Sequence, residues 1–509
     1  MQKRPNILFI TSDQHRGDCF GFEGRRVRTP HLDDLAHNGT RFTSCITPSL
    51  VCQPSRASIL TGLLPLTNGV RDNGIDLDVA TGEAGFAGSL AASGYHTAFL
   101  GKAHFSSHHT YAPTGRPECQ HSASSYPQTW FGPYMGFEHV ELIVEGHNYW
   151  LPAPPPSGAH HSRWYYGDGR GEERNALYKK DLGPPTGAPQ TFFSALPAAW
   201  HNSAWVGDRT IAFLKNKHDR PFCMWVSFPD PHHPFDCPEP WSRLHAPEEV
   251  DIPKYRHTDF ERRPWWHRAS MENRPVGNAE MQEIRRNFSR MGEQPEAQLR
   301  HVIANYYGMI SLIDHQVGRI LCALSETGAD QDTLVIFSSD HGEWLGDHGL
   351  MLKGPMAYEG LLRVGLVISG PGVPHGKVVH DPVSTLDLAP TFVDYGSASA
   401  LGPLHGKSLR GLIEGNEETR ECAYSEWDVQ PSRCGVPLQL RTVRTADWKL
   451  TLELTSGAGE MYCLQDDPHE CTNRFDDPGA ATVRQRLISL LKERPDDALA
   501  QGLPYSGFA

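Results

Sequence analysis

The sequence predicts an α/β protein: a large, mostly parallel central sheet flanked by helices, then a small C-terminal α+β unit with an antiparallel sheet. Three observations carry this. Four short, unalternating apolar runs each end in polar residues. A long stretch with helical periodicity precedes the last of them. Short strand-like pieces and one further helix crowd the final hundred residues.

Ile7-Leu8-Phe9-Ile10 leads to Asp13-Gln14, and Thr97-Ala98-Phe99-Leu100 leads to Gly101-Lys102-Ala103-His104. Phe222-Cys223-Met224-Trp225-Val226 leads to Asp230-Pro231-His232-His233, and Leu334-Val335-Ile336-Phe337 to Asp340-His341-Gly342. A strand that is apolar at every position is buried on both faces, as in a sheet covered by helices. In open α/β sheets, ligands bind beyond the carboxyl ends of such strands. Four strands delivering Asp, Gln, Lys, His and Asp to one edge therefore predict one site. Tyr306, Ile310, Ile313, Val317, Ile320 and Leu324 recur at spacings of three and four and give a helix with one apolar stripe, stopped near Gly328. Alternation of helix and strand supports the parallel sheet.

Residues 106–199, with many aromatics and the run Pro152-Ala153-Pro154-Pro155-Pro156, are expected as a loop-rich insertion over the site. Residues 1–410 then form the catalytic domain and 411–509 the small C-terminal domain. In the latter, Trp448-Lys449-Leu450-Thr451-Leu452 reads as a strand, and a helix is expected near Val483 to Leu491. The tail from Pro495 to Ala509 is expected to be an arm or an oligomer contact.

A composition of 39% hydrophobic and 21% charged residues over 509 positions is that of a globular protein. A net charge of -13 argues against nucleic acid or an anionic membrane as partner. An anionic substrate must be held by local cations. No apolar stretch approaches the ~20 residues of a membrane helix. The first residues run straight into a short strand and do not form an export signal. The 11 cysteines are odd in number and lack pairing rhythm, so reduced thiols in the cytoplasm are expected.

The most informative segment is Cys52-Gln53-Pro54-Ser55-Arg56-Ala57-Ser58-Ile59-Leu60-Thr61-Gly62. Pro54 and Ser55 suit the first turn of a helix, which places Cys52 at its N-terminus. That end favours anions, and Arg56 adds a cation one turn on. Cys52 could act directly as a low-pKa thiolate or be a buried structural cysteine. The segment resembles the signature C-x-P-S-R with a T-G ending of the sulfatase family, and further landmarks of that family follow in order through nearly the whole chain.

The resemblance implies the alkaline-phosphatase-like sandwich fold. It also implies that Cys52 is oxidised to formylglycine by a formylglycine-generating enzyme. The hydrated aldehyde attacks sulfur, and collapse of the hemiacetal expels sulfate, which divides one hard step into two easier ones. It places one divalent metal ion among Asp13, Gln14, Asp340, His341 and the side chain at position 52. Many sulfatases have Asp-Asp and Asp-Asn at these pairs; Gln14 and His341 resemble the phosphonate monoester hydrolase branch and some sulfatases. Oxygen donors suit Ca, and an imidazole moves the preference toward Mn. Lys102 would hold a sulfate oxygen or the second oxygen of the nucleophile. His104 would be the base, and His232 (with His233 as the neighbouring register) the donor to the bridging oxygen. Lys353 and, less specifically, Asn73 would bind substrate; Arg56 completes the catalytic set.

The resulting expectation is metal- and formylglycine-dependent hydrolysis of small sulfate monoesters of the arylsulfatase type, with promiscuity. Phosphonate monoester or phosphodiester hydrolysis is the alternative, and a non-catalytic anion-binding protein with unmodified Cys52 the third reading. The alcohol portion of the substrate is not legible.

Overall fold

A computed structural model describes the chain apart from residues 1–3, 145–153, 156–158, 278, 280–281, 284, 286–290, 417–418 and 509. Much of the proline run at 152–156 therefore lies outside the described residues.

Eight strands form the central sheet: β1 (Asn6–Ser12), β2 (Thr40–Phe42), β3 (His96–Lys102), β4 (His139–Ile143), β5 (Phe222–Phe228), β6 (Thr333–Ser339), β7 (Leu366–Ser369) and β8 (Lys377–Val379). Their spatial order is β8-β2-β7-β6-β1-β5-β3-β4. All neighbouring pairs are parallel except the two made by β7, which runs opposite to the rest. The four apolar runs read from the sequence are four consecutive strands, β6, β1, β5 and β3. Pairing of Ser12 with Ser339 on one side and Phe228 on the other brings the ends of these strands level.

Successive residues of the central strands enter opposite layers, which is why their middle positions are apolar on both faces. Ile7, Phe9, Trp225 and Ile336 pack with helices α1 (Cys52–Thr61), α2 (Phe86–Ala92) and α5 (Leu388–Tyr395). Leu8, Ile10, Val226 and Phe337 pack with α3 (Asn202–Lys215) and α4 (Glu296–Glu326). The predicted stripe lies on α4, a helix of 31 residues, with Gly328 in the left-handed region just past its end.

Residues 106–199 also supply part of the sheet, because β4 lies within them and closes one edge beside β3. Its sequence, His139-Val140-Glu141-Leu142-Ile143, escaped notice because an edge strand tolerates charge: Glu141 is paired with Arg209 of α3 at 2.6 Å.

Toward the C-terminus, β9 (Ala423–Val429), β10 (Leu438–Arg444), β11 (Trp448–Glu453) and β12 (Gly459–Cys463) form an antiparallel meander in sequence order. Helix α6 (Ala481–Leu491) packs Leu487 and Leu490 against Val443, Leu450 and Met461 of this sheet. The tail then returns along the molecule, and Gly507–Phe508 pair antiparallel with His109–Thr110.

Candidate active site

The carboxyl ends of β1 and β6 and the first turn of α1 meet at one point. Ligand atoms of Asp13, Cys52, Asp340 and His341 all lie within 4.8 Å of one another, and all four side chains are buried. Helix α1 is buried along its whole length and ends at Gly62 in the left-handed region. Ser55 Oγ donates to the Asp340 carbonyl at 2.6 Å and ties the helix to the end of β6.

Arg56 is directed at the carboxylates. Its Nε donates to Asp340 Oδ2 at 2.8 Å, and one terminal nitrogen lies 3.5 Å from Asp13 Oδ2. The other donates to the Lys102 carbonyl (2.6 Å) and Ser227 Oγ (2.8 Å). These contacts all go to protein groups and orient the two carboxylates. Lys102 Nζ pairs with Asp13 Oδ2 at 2.6 Å.

Around Cys52 Sγ stand Lys353 Nζ at 3.0 Å, His341 Nε2 at 3.1 Å and Asp13 Oδ1 at 3.6 Å. The His104 side chain also hydrogen-bonds Cys52, while its Nδ1 has no hydrogen-bond partner. Lys353 Nζ further donates to Gln14 Oε1 at 3.0 Å and to His232 Nε2 at 2.8 Å. His232 therefore belongs to the site, whereas His233 Nδ1 is bound to Gln190 Oε1 at 2.7 Å. Asn73 lies at the helix start, where its Oδ1 accepts the Gln53 N–H at 3.0 Å. Asp13, Gln14, Cys52, Arg56, Lys102, His104, His232, Asp340, His341 and Lys353 are thus joined by contacts, and Asn73 adjoins them through Gln53.

The electrostatics follow from burial and these contacts. Burial opposes the Asp13 charge, yet Lys102, Arg56 and Lys353 hold its carboxyl well below the usual range. Burial and Asp13 push the Cys52 thiol up, but Lys353, His341 and Lys102 outweigh them and bring it well below its ordinary value. Burial lowers His104. Gln14 and His104 both adopt left-handed backbone conformations, with φ of 62° and 52°. Such residues cost about 1–3 kcal/mol each and persist only where their surroundings hold them. Gln14 is held by its N–H on Asp340 Oδ1 (3.0 Å) and its carbonyl on Tyr306 OH (2.7 Å).

The donor set fits a divalent cation. His341 Nδ1 is 2.8 Å from the Gly342 carbonyl, so it carries the proton and leaves the Nε2 lone pair facing the cluster, the tautomer a metal ligand needs. The Lys353 ammonium lies among Gln14 Oε1, Cys52 Sγ and His341 Nε2, so these atoms already surround positive charge.

Two carboxylates went unnoticed in the sequence. Glu343 accepts from Gln14 Nε2 and orients that amide; burial pushes it up to about 7. Its place three residues after Asp340 was the available signal. Glu118 accepts the backbone N–H groups of His104, Phe105 and Ser106 and so fixes the turn after β3. Nothing local marks it.

In this arrangement a buried cysteine at a helix start faces cations and a candidate metal cradle. The sulfatase family model matches residues 5–398, and a second, described as N-sulphoglucosamine sulphohydrolase, C-terminal, matches residues 346–497. The chain belongs to the sulfatase family of sulfuric ester hydrolases. It is 29% identical to an arylsulfatase of Clostridium perfringens over 99% of this chain and 98% of that protein. It is 27% identical to the multifunctional alkaline phosphatase superfamily protein PehA of Trinickia caryophylli, covering 96% and 95% of the two chains. The crystal structure of phosphonate monoester hydrolase of Agrobacterium radiobacter superposes with a TM-score of 0.76 at 27% identity, covering 98% of this chain and 97% of that one. Among the described residues, no helix is long and apolar enough to cross a membrane.

Proposed function

We propose that the protein hydrolyses small sulfate monoesters of the arylsulfatase type, with Cys52 matured to formylglycine by a formylglycine-generating enzyme. The observation that carries this reading is the ring of Lys353, His341, Asp13 and His104 about Cys52 Sγ. That sulfur stands where the oxygen nucleophile of the matured side chain would be. Formylglycine supplies a nucleophile whose adduct can release sulfate by collapse, a route closed to a thiol, whose S-sulfo adduct carries no geminal hydroxyl. Asp13, Gln14, Asp340 and His341 would hold a Ca or Mn ion, which supplies charge neutralisation for the anionic group.

The chain's own residues provide the rest. Lys353 and Lys102 bring fixed positive charge to the place where anionic oxygens gather, in a buried site where such charge acts strongly. His104, kept neutral by burial and touching residue 52, is placed to accept the proton from the nucleophile's hydroxyl. His232 bonds the His233 carbonyl through Nδ1 at 2.6 Å, which turns Nε2 toward Lys353 and the leaving group. Asn73 lines the substrate side. A cytoplasmic setting belongs to the same proposal and rests on the unpatterned cysteines.

Gln14 and His341, with the likeness to a phosphonate monoester hydrolase, favour phosphonate monoester or phosphodiester hydrolysis as the second reading. Assay of p-nitrophenyl sulfate beside a phenyl phosphonate monoester separates them. The sulfate ester is expected to be the better substrate; far more efficient turnover of the phosphonate overturns the first reading. Mass analysis of the peptide carrying residue 52 is expected to show the formyl side chain. A wholly unconverted thiol in native protein would leave only anion binding.

A further inference from the structure

The last residues of the chain lie outside both matched family models, which end at 398 and 497, yet they reach the loop that carries Asn73. Leu499 N–H donates to the Leu66 carbonyl at 3.0 Å. Tyr505 OH donates to Asp72 Oδ2 at 3.3 Å, and Ser506 N–H to the Gly74 carbonyl at 2.8 Å. Ser506 Oγ donates to Asp76 Oδ1 at 2.6 Å, and the Ser506 carbonyl accepts the Tyr111 N–H at 2.9 Å. Packing is so close that a Cβ at Gly74, whose φ is 97°, would come within 2.6 Å of the Gly507 carbonyl oxygen.

The opposite side of the same loop is bound to the start of α1. The Gln53 N–H goes to Asn73 Oδ1, Gln53 Oε1 accepts the Gly74 N–H at 2.8 Å, and Gln53 Nε2 donates to the Ile75 carbonyl at 2.7 Å. Gln53 is the neighbour of Cys52. Asp76 Oδ1 also takes the Ser107 N–H at 2.9 Å, so the arm is joined to the turn that follows His104. Residues 72–76 are therefore held between the nucleophile helix and the C-terminal arm. Asp72 at the start of the loop is held in addition by Trp427 Nε1 at 3.1 Å and Arg433 Nε at 2.9 Å, which leaves Gly74 and Asp76 as the positions the arm holds.

We propose that the C-terminal arm, residues 499–508, is a positioning element of the active site: by clamping residues 72–76 against Gln53 it fixes Asn73 beside the nucleophile. The arm touches no reacting atom and acts through Asn73. Its kinetic consequence rests on the substrate-binding role proposed for Asn73; its structural consequence does not.

Two variants test it, a chain ending at Leu503 and the full-length double variant Tyr505→Phe/Ser506→Ala. Peptide-resolved amide hydrogen exchange, melting temperature and separate KM and kcat are measured on each. Exchange of residues 72–76 and of Gln53 is expected to rise about tenfold or more while the β1, β5 and β6 peptides stay unchanged. KM for p-nitrophenyl sulfate is expected to rise about tenfold with a smaller change in kcat, as suits a displaced binding group. Unchanged exchange at 72–76 in both variants overturns the proposal. A uniform rise in exchange with a lower melting temperature also overturns it, since the arm would then be a general clamp. A local rise in exchange with KM unaltered upholds the positioning and overturns Asn73 as a substrate-binding group.

Discussion

Arg56 Nε donates to Asp340 Oδ2 at 2.8 Å, with the arginine side chain wholly removed from solvent and the aspartate 1% exposed. Breaking a buried pair by removing one partner strands a charge, which costs about 3–5 kcal/mol. Arg56→Met is expected to lose that much stability because Asp340 and Asp13 both lose a partner. Urea unfolding measures it. A loss below about 1 kcal/mol would show that Lys102 on Asp13 and the Gln14 and His341 N–H groups on Asp340 suffice.

Lys353 gathers Gln14, Cys52 and His232 around one ammonium. Lys353→Met keeps most of the volume and removes the charge, so turnover is expected to fall about 10²–10³-fold, the scale of losing one preorganised group. Steady-state kinetics on p-nitrophenyl sulfate check this, with circular dichroism to confirm the fold.

His341→Ala removes one candidate donor and the imidazole that stands 3.1 Å from Cys52 Sγ. Metal retention is expected to weaken at least about tenfold. Metal content by mass spectrometry after dialysis reports it independently of activity; unaltered content contradicts a ligand role.

Cys52→Ala is expected to abolish turnover while the protein still folds, because the lost side chain is small and α1 is anchored by Ser55 and Arg56. Residual activity near that of the parent would rule out a covalent route through residue 52.

Acid stability has a separate origin. Burial disfavours the Glu460 charge, but His267 at 3.1 Å and the Tyr462 hydroxyl at 2.8 Å bring its carboxyl down to about 2. A folded-state value below the unfolded one stabilises the protein above about pH 4.5, and the contribution is lost as pH falls from there toward 2. Glu460→Gln is expected to be less stable by roughly 2–3 kcal/mol near neutrality. The gap between the urea midpoints of parent and variant should close across that acid window. A gap independent of pH would assign the loss to packing.

The strand ends were legible because a strand buried on both faces has no room for polar residues, so the first Asp or Lys after Ile10, Leu100 or Phe337 marks the rim. The helix start was legible because Pro54 suits only a first turn. Edge strand β4 was not, since Glu141 breaks its apolar character and is compensated by Arg209, a partner 68 residues away. Glu118 supports His104 from a loop with no periodicity, and the arm joins its loop partly through backbone groups of Gly74 and Ser506 that any sequence possesses. Arg56 was legible as a cation, but its aim toward Asp13 and Asp340 depends on where two distant strands end.

The complete burial of α1, with Cys52 only 1% exposed, bears on the order of events during synthesis. Under the proposed maturation, the modifying enzyme would have to reach residue 52 before β1 and β6 close over the segment, and a thiol that missed that interval would stay enclosed in a folded molecule.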